Sequence, residues 1–255
     1  LNQTIKTALV TGASSGIGQA TAIQLAQSGF KVAIVGRNEK ALADTETLIK
    51  NHGAEVLAQT ADLAIEAEAR QVVVKVVEAW GRLDVLVNAA GIIGNGSVTS
   101  TAVEDWDQMM HINLRALFIL MQEATPHLET VHGNVVNVSS VTGSRSFPGI
   151  LSYCVSKAGV DQLTRCTALE LAEKGVRVNA INPGVVRTHL HKNGGMDKPA
   201  YDAFLEHSKT THPLGRVGEA QEAADLIAFL ASDKAGWITG ACIPLDGGRA
   251  QTCAR

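Results

Sequence analysis

The chain reads as an α/β protein built on one parallel, doubly wound sheet of seven strands, with helices on both faces. Three observations predict this. Short β-branched runs alternate with helix-period segments from Thr7 to Gly248, the pattern of strands joined by right-handed crossovers. The first strand opens into a glycine-rich turn that runs straight into a helix, as in doubly wound nucleotide folds. No internal repeat or linker breaks the alternation, so residues 1–255 are expected to form one domain.

Thr7-Ala8-Leu9-Val10 is a short buried strand, and Thr11-Gly12-Ala13-Ser14-Ser15-Gly16-Ile17-Gly18 turns into a helix ending near Gln27. Glycine permits positive φ and close backbone approach, and a helix N-terminus offers unpaired N–H groups to a pyrophosphate. The spacing G-x-x-x-G-x-G differs from the commoner G-x-G-x-x-G. Gly12, Ser14, Ser15, Gly16, Ile17 and Gly18 are candidate cofactor contacts.

The second strand, 31–35, ends in Gly36-Arg37-Asn38, where the dinucleotide fingerprint expects an acidic residue on the ribose hydroxyls. A carboxylate there would repel a 2′-phosphate, whereas Arg37 can pair with one in a forked geometry. Arg37 and Asn38 therefore point to NADP(H), with NAD(H) as the alternative if Arg37 is only a solvated strand-end residue.

The third strand, 55–60, ends in Ala61-Asp62-Leu63. Asp62, with Leu63 beside it, either accepts from an adenine amino group or caps the next helix. Residues 71–77 have the β-branched look of a strand, yet the Ala/Glu-rich lead-in and the Gly81 stop predict a helix over 65–80. The fourth strand, 83–87, ends in Asn88-Ala89-Ala90-Gly91, and Gly91, Gly94 and Gly96 form a flexible rim where the strand order reverses. A long helix follows over about 104–128, with Asn113 in its interior. Asparagine at mid-helix marks an outward polar face or a local π-bulge.

The fifth strand, 134–138, delivers Ser139 and Ser140 to the carboxyl edge of the sheet. A loop containing Gly143 and Pro148-Gly149 leads to the helix of Tyr153 and Lys157, whose i,i+4 spacing puts phenol and ammonium on one face. A free phenol titrates near ~10, and a nearby cation favours phenolate, so Tyr153 is a candidate acid. Cys154 points about 100° away and reads as a packing residue. Gly159 inside the helix predicts close packing against another backbone.

The sixth strand, 177–181, opens into Asn182-Pro183-Gly184 and a His-rich polar stretch that reads as a substrate lid over about 187–214. His189 and His191 have no acidic or thiol cluster to complete a metal site, so no metal is expected. A helix over 219–231 and a last strand over 241–245, closed by Asp246-Gly247-Gly248, complete the chain.

Composition narrows the class of function. With 45% apolar residues, a net charge of -3 and no basic block, nucleic acid is not an expected partner, and no apolar run approaches the ~18 residues of a membrane span. The four cysteines lack C-x-x-C spacing, which argues against zinc or a disulfide framework and fits a reducing, cytoplasmic compartment. A mitochondrial or peroxisomal location stays open, since Leu1 replaces an initiator Met and suggests a trimmed start, although Cys253-Ala254-Arg255 matches the peroxisomal tripeptide poorly.

Glycine turn, Asn-Ala-Ala-Gly, Asn113, the strand-end serine and Tyr153-x-x-x-Lys157 stand in an order that resembles the short-chain dehydrogenase/reductase family, from about Thr7 to Gly248. The resemblance implies a Rossmann-type domain. It also implies a catalytic group of Asn113, Ser140, Tyr153 and Lys157, with Ser139 as the less favoured serine. Gly12, Gly16 and Gly18 match the pyrophosphate turn, and Asn88 and Gly91 match the Asn-Asn-Ala-Gly element, from which Ala89 departs. Pro183, Gly184, Val186 and Thr188 fall in the segment that meets the nicotinamide end.

The implied activity is NADP(H)-dependent interconversion of a ketone or aldehyde and an alcohol. Ser140 would hold the carbonyl oxygen, Tyr153 give the proton, Lys157 grip the ribose and favour phenolate, and Asn113 anchor a proton-relaying water. Enoyl reductases resembling the family place six residues between Tyr and Lys and are set aside. A 3-oxoacyl-carrier-protein reductase is the alternative, weakened because Leu128-Glu129-Thr130-Val131-His132 lacks Arg and Lys. A non-catalytic cofactor-binding regulator is the remote alternative. Family resemblance further implies a homotetramer, or a homodimer.

Overall fold

The computed structural model describes residues 5–252; the start at Leu1 and the tripeptide Cys253-Ala254-Arg255 lie outside them. The strands are β1 (Thr7–Thr11), β2 (Lys31–Gly36), β3 (Val56–Thr60), β4 (Val85–Asn88), β5 (Asn134–Val138), β6 (Arg177–Pro183), β7 (Val186–Arg187), β8 (Gly218–Glu219) and β9 (Cys242–Leu245). Seven of them pair, all in parallel, in the order β3-β2-β1-β4-β5-β6-β9, and β7 and β8 form a separate short pair. The order reverses between β1 and β4, so the loops after these strands diverge and leave a crevice at their carboxyl ends.

The helices are α1 (Gly16–Gln27), α2 (Glu39–Asn51), α3 (Glu66–Trp80), α4 (Val103–Met110), α5 (Ala116–Val131), α6 (Leu151–Leu171), α7 (Leu190–Asn193), α8 (Lys198–Thr211) and α9 (Ala220–Ala231). Strand residues alternate between two apolar cores. Ala8 and Val10 of β1 join the core under α1, α2 and α9, whereas Leu9 joins the one under α3 and α5. That alternation is the two-residue period of a sheet covered on both faces.

The β-branched run at 71–77 is helical. Its buried residues, Ala69, Val72, Val73 and Val76, recur at helical spacing, and Gly81 closes the helix at φ 71°. The helix expected over 104–128 runs from Val103 to Val131 and carries a π-turn at His111–Arg115. Asn113 sits in that turn with no exposed surface, so the outward polar alternative does not hold. Gly159 makes a close approach, but to a side chain: a Cβ there would meet Leu114 Cδ2 at 2.8 Å, not another backbone.

The 187–214 stretch is more regular than its polar composition suggests. Asp197 caps α8 by accepting from the Ala200 N–H at 2.8 Å, and Pro199 stands in its first turn. Tyr201 and Leu205 then pack against Val185 and Val217 in a small core of their own. Among the described residues no helix is long and apolar enough to cross a membrane, and the three described cysteines are free.

Candidate active site

A cavity of about 540 Å³ opens along the carboxyl ends of the strands, from Arg37 after β2 to Arg249 after β9. Its floor is the glycine turn. Gly12 has φ 66°, and a Cβ on it would stand 2.8 Å from the main chain of Ala89 and Ala90. Thr11 fastens that contact, because its Oγ1 accepts from both the Ala89 and Ala90 N–H groups at 3.1 Å.

The residues present fit a nicotinamide dinucleotide. The start of α1 carries no acidic residue in its first turn, and Ser15 makes no side-chain cap, so the terminal N–H groups keep their capacity for an anion. Among the described residues Ser14 Oγ, buried beside Gly36, has no hydrogen-bond partner, and a polar ligand atom would satisfy it. Ser14, Ser15, Gly16, Ile17 and Gly18 all line the cavity, as do Arg37, Asn38, Asp62 and Leu63 at its outer end.

Of the two readings of Asp62, the cap is not the one seen. Ile65 stands at the N-cap of α3, while Asp62 Oδ1 accepts from the Ala64 N–H at 3.0 Å within its own turn. Asn38 is the true cap of α2, accepting from Ala41 N–H at 3.0 Å. Gly91, Pro183, Gly184, Val186 and Thr188 line the inner end, and Thr188 comes up to Gly16 across the cavity.

Asn88 and Asn113 do not line the cavity. Asn88 is fully buried beneath it and donates to Asn137 Oδ1 at 2.9 Å, joining β4 to β5. The Asn113 carboxamide clamps Ile92: Oδ1 accepts from its N–H at 2.8 Å and Nδ2 donates to its carbonyl at 2.9 Å. Nδ2 also donates to Ser156 Oγ at 3.1 Å. Asn113 therefore ties the loop after β4 to α6, and the π-turn is what carries it there.

Ser140, Tyr153 and Lys157 meet on the cavity wall. The two serines have different duties. Ser139 Oγ donates to the Lys157 carbonyl at 3.2 Å and is spent on the helix, whereas Ser140 Oγ accepts from Thr142 N–H at 3.1 Å and keeps its own proton to donate. Lys157 Nζ donates to the Val138 carbonyl at 2.8 Å.

Burial dominates the titration of the pair. It pushes the Tyr153 phenol up to about 12, with the Ser140 hydroxyl pulling against it, and it pushes the Lys157 ammonium down to about 8, with Asp161 opposing. The sequence expectation that the lysine carries the phenol toward neutrality is reversed here. Tyr153 and Lys157 are only 7% and 5% exposed, and desolvation is the largest influence on each.

A layer behind the wall escaped the sequence reading. Asn182 Nδ2 donates both to the Ser140 carbonyl at 2.9 Å and to Asp161 Oδ2 at 2.8 Å. Asp161 is 3% exposed and lies one helical turn after Lys157. A polar residue four places after the lysine, on a helix whose buried face includes both, was the available signal. The substrate end was missed as well: Phe147, Ile150, Leu190, Met196 and Phe204 give it an apolar wall, and His191 packs on Phe204 at 4.6 Å between ring centres. Among the described residues no cluster of acids, thiols and imidazoles gathers around His189 and His191.

Comparison with known proteins agrees with this geometry. A family model described as enoyl-(acyl carrier protein) reductase matches residues 12–250, although the chain keeps three residues between Tyr153 and Lys157. The 3-oxoacyl-[acyl-carrier-protein] reductase FabG of Staphylococcus aureus is 41% identical over 246 residues, covering 95% of this chain and 97% of that protein. Among solved structures, a short-chain dehydrogenase/reductase of Caenorhabditis elegans superposes with a TM-score of 0.92 at 34% identity, over 98% of this chain and 96% of that one. Levodione reductase gives 0.90 at 32%, over 97% and 98%. Matched along nearly its whole length in sequence and in fold, the chain belongs to the short-chain dehydrogenase/reductase family, nicotinamide-dependent oxidoreductases acting on CH–OH and carbonyl groups.

Proposed function

We propose that the protein is an NADP(H)-preferring carbonyl reductase that converts a ketone or aldehyde to its alcohol, and runs the reverse oxidation on the same residues. The observation that carries the cofactor preference is the end of β2, where Arg37 lines the cavity, exposed, and no carboxylate occupies the ribose position. A guanidinium there favours a 2′-phosphate over a bare ribose.

The bound cofactor supplies the hydride. The chain's own part is positional and acid–base: the Ser140 hydroxyl donates to the carbonyl oxygen, and the Tyr153 phenol gives that oxygen its proton. Lys157 would hold the ribose hydroxyls through the donors that the Val138 carbonyl leaves free. Asn113 acts by holding Ile92. Residues 187–214 close over the apolar substrate end as a lid.

Initial rates with NADPH and NADH across a panel of ketones test the reading. One charge-assisted contact corresponds to a KM difference of roughly ten- to a hundredfold, so NADPH should be favoured by that margin, and Arg37→Asp should erase it. Equal kcat/KM for the two cofactors would sink the preference.

The 41% identity to a 3-oxoacyl-carrier-protein reductase supports a second reading, in which the ketone is a carrier-bound 3-oxoacyl thioester. The absence of Arg and Lys from 128–132 counts against it. Comparing the thioester on an acyl carrier protein with the same acyl group on a small thiol separates the two. A homotetramer is supported by Phe118 on α5 and Leu169 on α6, which are 49% and 79% exposed in the single chain; light scattering tests it.

A further inference from the structure

The substrate end of the cavity contains one fixed cation that the reaction described above does not use. Arg249, in the short turn after β9, lines the same cavity as Ser140 and Tyr153. Its guanidinium lies 4.9 Å from the ring centre of Phe147, in the loop between those two residues, and Nη1 donates to Thr211 Oγ1 at 2.8 Å at the end of α8. The group is held on two sides and half-buried, so its direction is set.

No carboxylate among the described residues pairs with Arg249. The neighbouring carboxylate, Asp246, is engaged by its own turn: Oδ1 accepts from Gly248 N–H at 2.9 Å and Oδ2 from Ala250 N–H at 2.7 Å. The only carboxylate on the cavity wall among the described residues is Asp62, which lies with Arg37 and Asn38 at the far, dinucleotide end. Burial accordingly lowers the guanidinium's hold on its proton, with Asp246 opposing. A desolvated guanidinium facing an apolar-walled cavity without an acid is a site for an anion from outside.

We propose that Arg249 is an anion-binding subsite and that the substrates are oxo acids, with the carbonyl at Ser140 and Tyr153, an apolar body against Phe147, Ile150 and Met196, and a carboxylate at Arg249. This rests on carbonyl reduction at Tyr153. It goes beyond that reading in fixing the charge of the substrate.

The test is a series of oxo acids from levulinate upward, each measured against its methyl ester with NADPH. The wild-type enzyme should prefer at least one acid over its ester by roughly ten- to a hundredfold in kcat/KM, chiefly through KM. In Arg249→Met, which keeps an unbranched stem against Phe147, the acid-to-ester ratio should fall by that factor, and Arg249→Lys should recover part of it. Equal use of acid and ester by the wild type overturns the proposal even if no variant folds. An Arg249→Met enzyme that loses acid and ester activity in equal measure overturns it too, because Arg249 is then only a brace for the 141–150 loop.

Calorimetric binding of levulinate to the NADP-saturated protein keeps the two readings apart. Binding that requires Arg249, with no ketone or oxo acid reduced, retains the anion site and removes the reductase. Ester turnover without any acid preference or acid binding retains the reductase and removes the anion site.

Discussion

Lys157 holds its ammonium 5.8 Å from the centre of the Tyr153 ring and spends one donor on the Val138 carbonyl at 2.8 Å. The tyrosine is a buried phenol that keeps its proton, which suits a donor in the reducing direction. Tyr153→Phe removes that proton and little else. Turnover should fall by about 10²–10⁴, the span of general acid catalysis, while NADPH binding followed by fluorescence stays nearly intact. Substantial residual turnover would move the acid to another group.

The pH profile should follow the lysine. With Lys157 lowered to about 8, its charge is present below that pH and is lost above it, whereas Tyr153 at about 12 stays protonated throughout the neutral range. Reductive kcat/KM is therefore expected to be level through neutrality and to decline above about pH 8. Lys157→Arg keeps the cation, so a decline that survives in that enzyme belongs to a different group.

Removing the charge of Asp161 should move the same limb. Asp161 is the group that opposes the lowering of Lys157, so Asp161→Asn takes away support for the ammonium and should shift the limb to lower pH. Asn182 still finds an oxygen in the variant, and Ser140 keeps its place. An unmoved limb with only a lower Tm would make Asp161 a packing residue.

Asn113→Ala leaves the Ile92 N–H and carbonyl without their partners at 2.8 and 2.9 Å. A stability loss of about 1–3 kcal/mol is expected, with a raised KM for cofactor, since the loop from Ala89 to Ile92 walls the cavity. Calorimetry and initial rates report the two effects separately. A variant with unchanged cofactor KM would show that the clamp supports the fold alone.

His212 gives the 187–214 stretch a pH dependence. Its Nδ1 donates to the Ser208 carbonyl at 2.6 Å and its Nε2 accepts from Val185 N–H at 3.1 Å, a pairing open only to the neutral ring. Burial lowers its pKa below 6.5, with the Ser208 carbonyl and Asp246 opposing and Arg249 lowering it further. The folded ring thus binds its proton less readily than the unfolded one, so stability is lost as pH falls below about 6.5. Limited proteolysis at about pH 5.5 and about pH 7.5 should show cuts within 187–214 appearing at the lower value, and a uniform pattern would count against His212 as the fastening.

Much of the sheet was legible because β1, β2, β4 and β5 are short apolar runs that end in or lead into glycine, asparagine or serine. That Tyr153 and Lys157 line one cavity was legible because residues four apart on a helix share a face. What composition hid was set by distant partners. The helix α8 depends on Asp197 and Pro199 in a stretch that reads as polar loop. Asn88 is an apparent ligand residue that in fact bonds Asn137, and Asp161 and Asn182 meet only because α6 crosses β6. Electrostatic sign was the least legible quantity of all, since the burial that reverses it is a property of the packed cavity.

The fastening of the glycine turn by Thr11 also bears on the order of events as the chain leaves the ribosome. Thr11 accepts from Ala90, 79 residues further on, and the turn rests on the backbone of Ala89. The nucleotide pocket therefore cannot take shape when its own loop emerges, and must wait for the fourth strand to arrive. Non-local parallel pairing of this kind is slow and leaves apolar edges uncovered. A nascent chain halted before Val85 would present β1 paired with β2 on one side and without β4 on the other, an open apolar edge exposed to association.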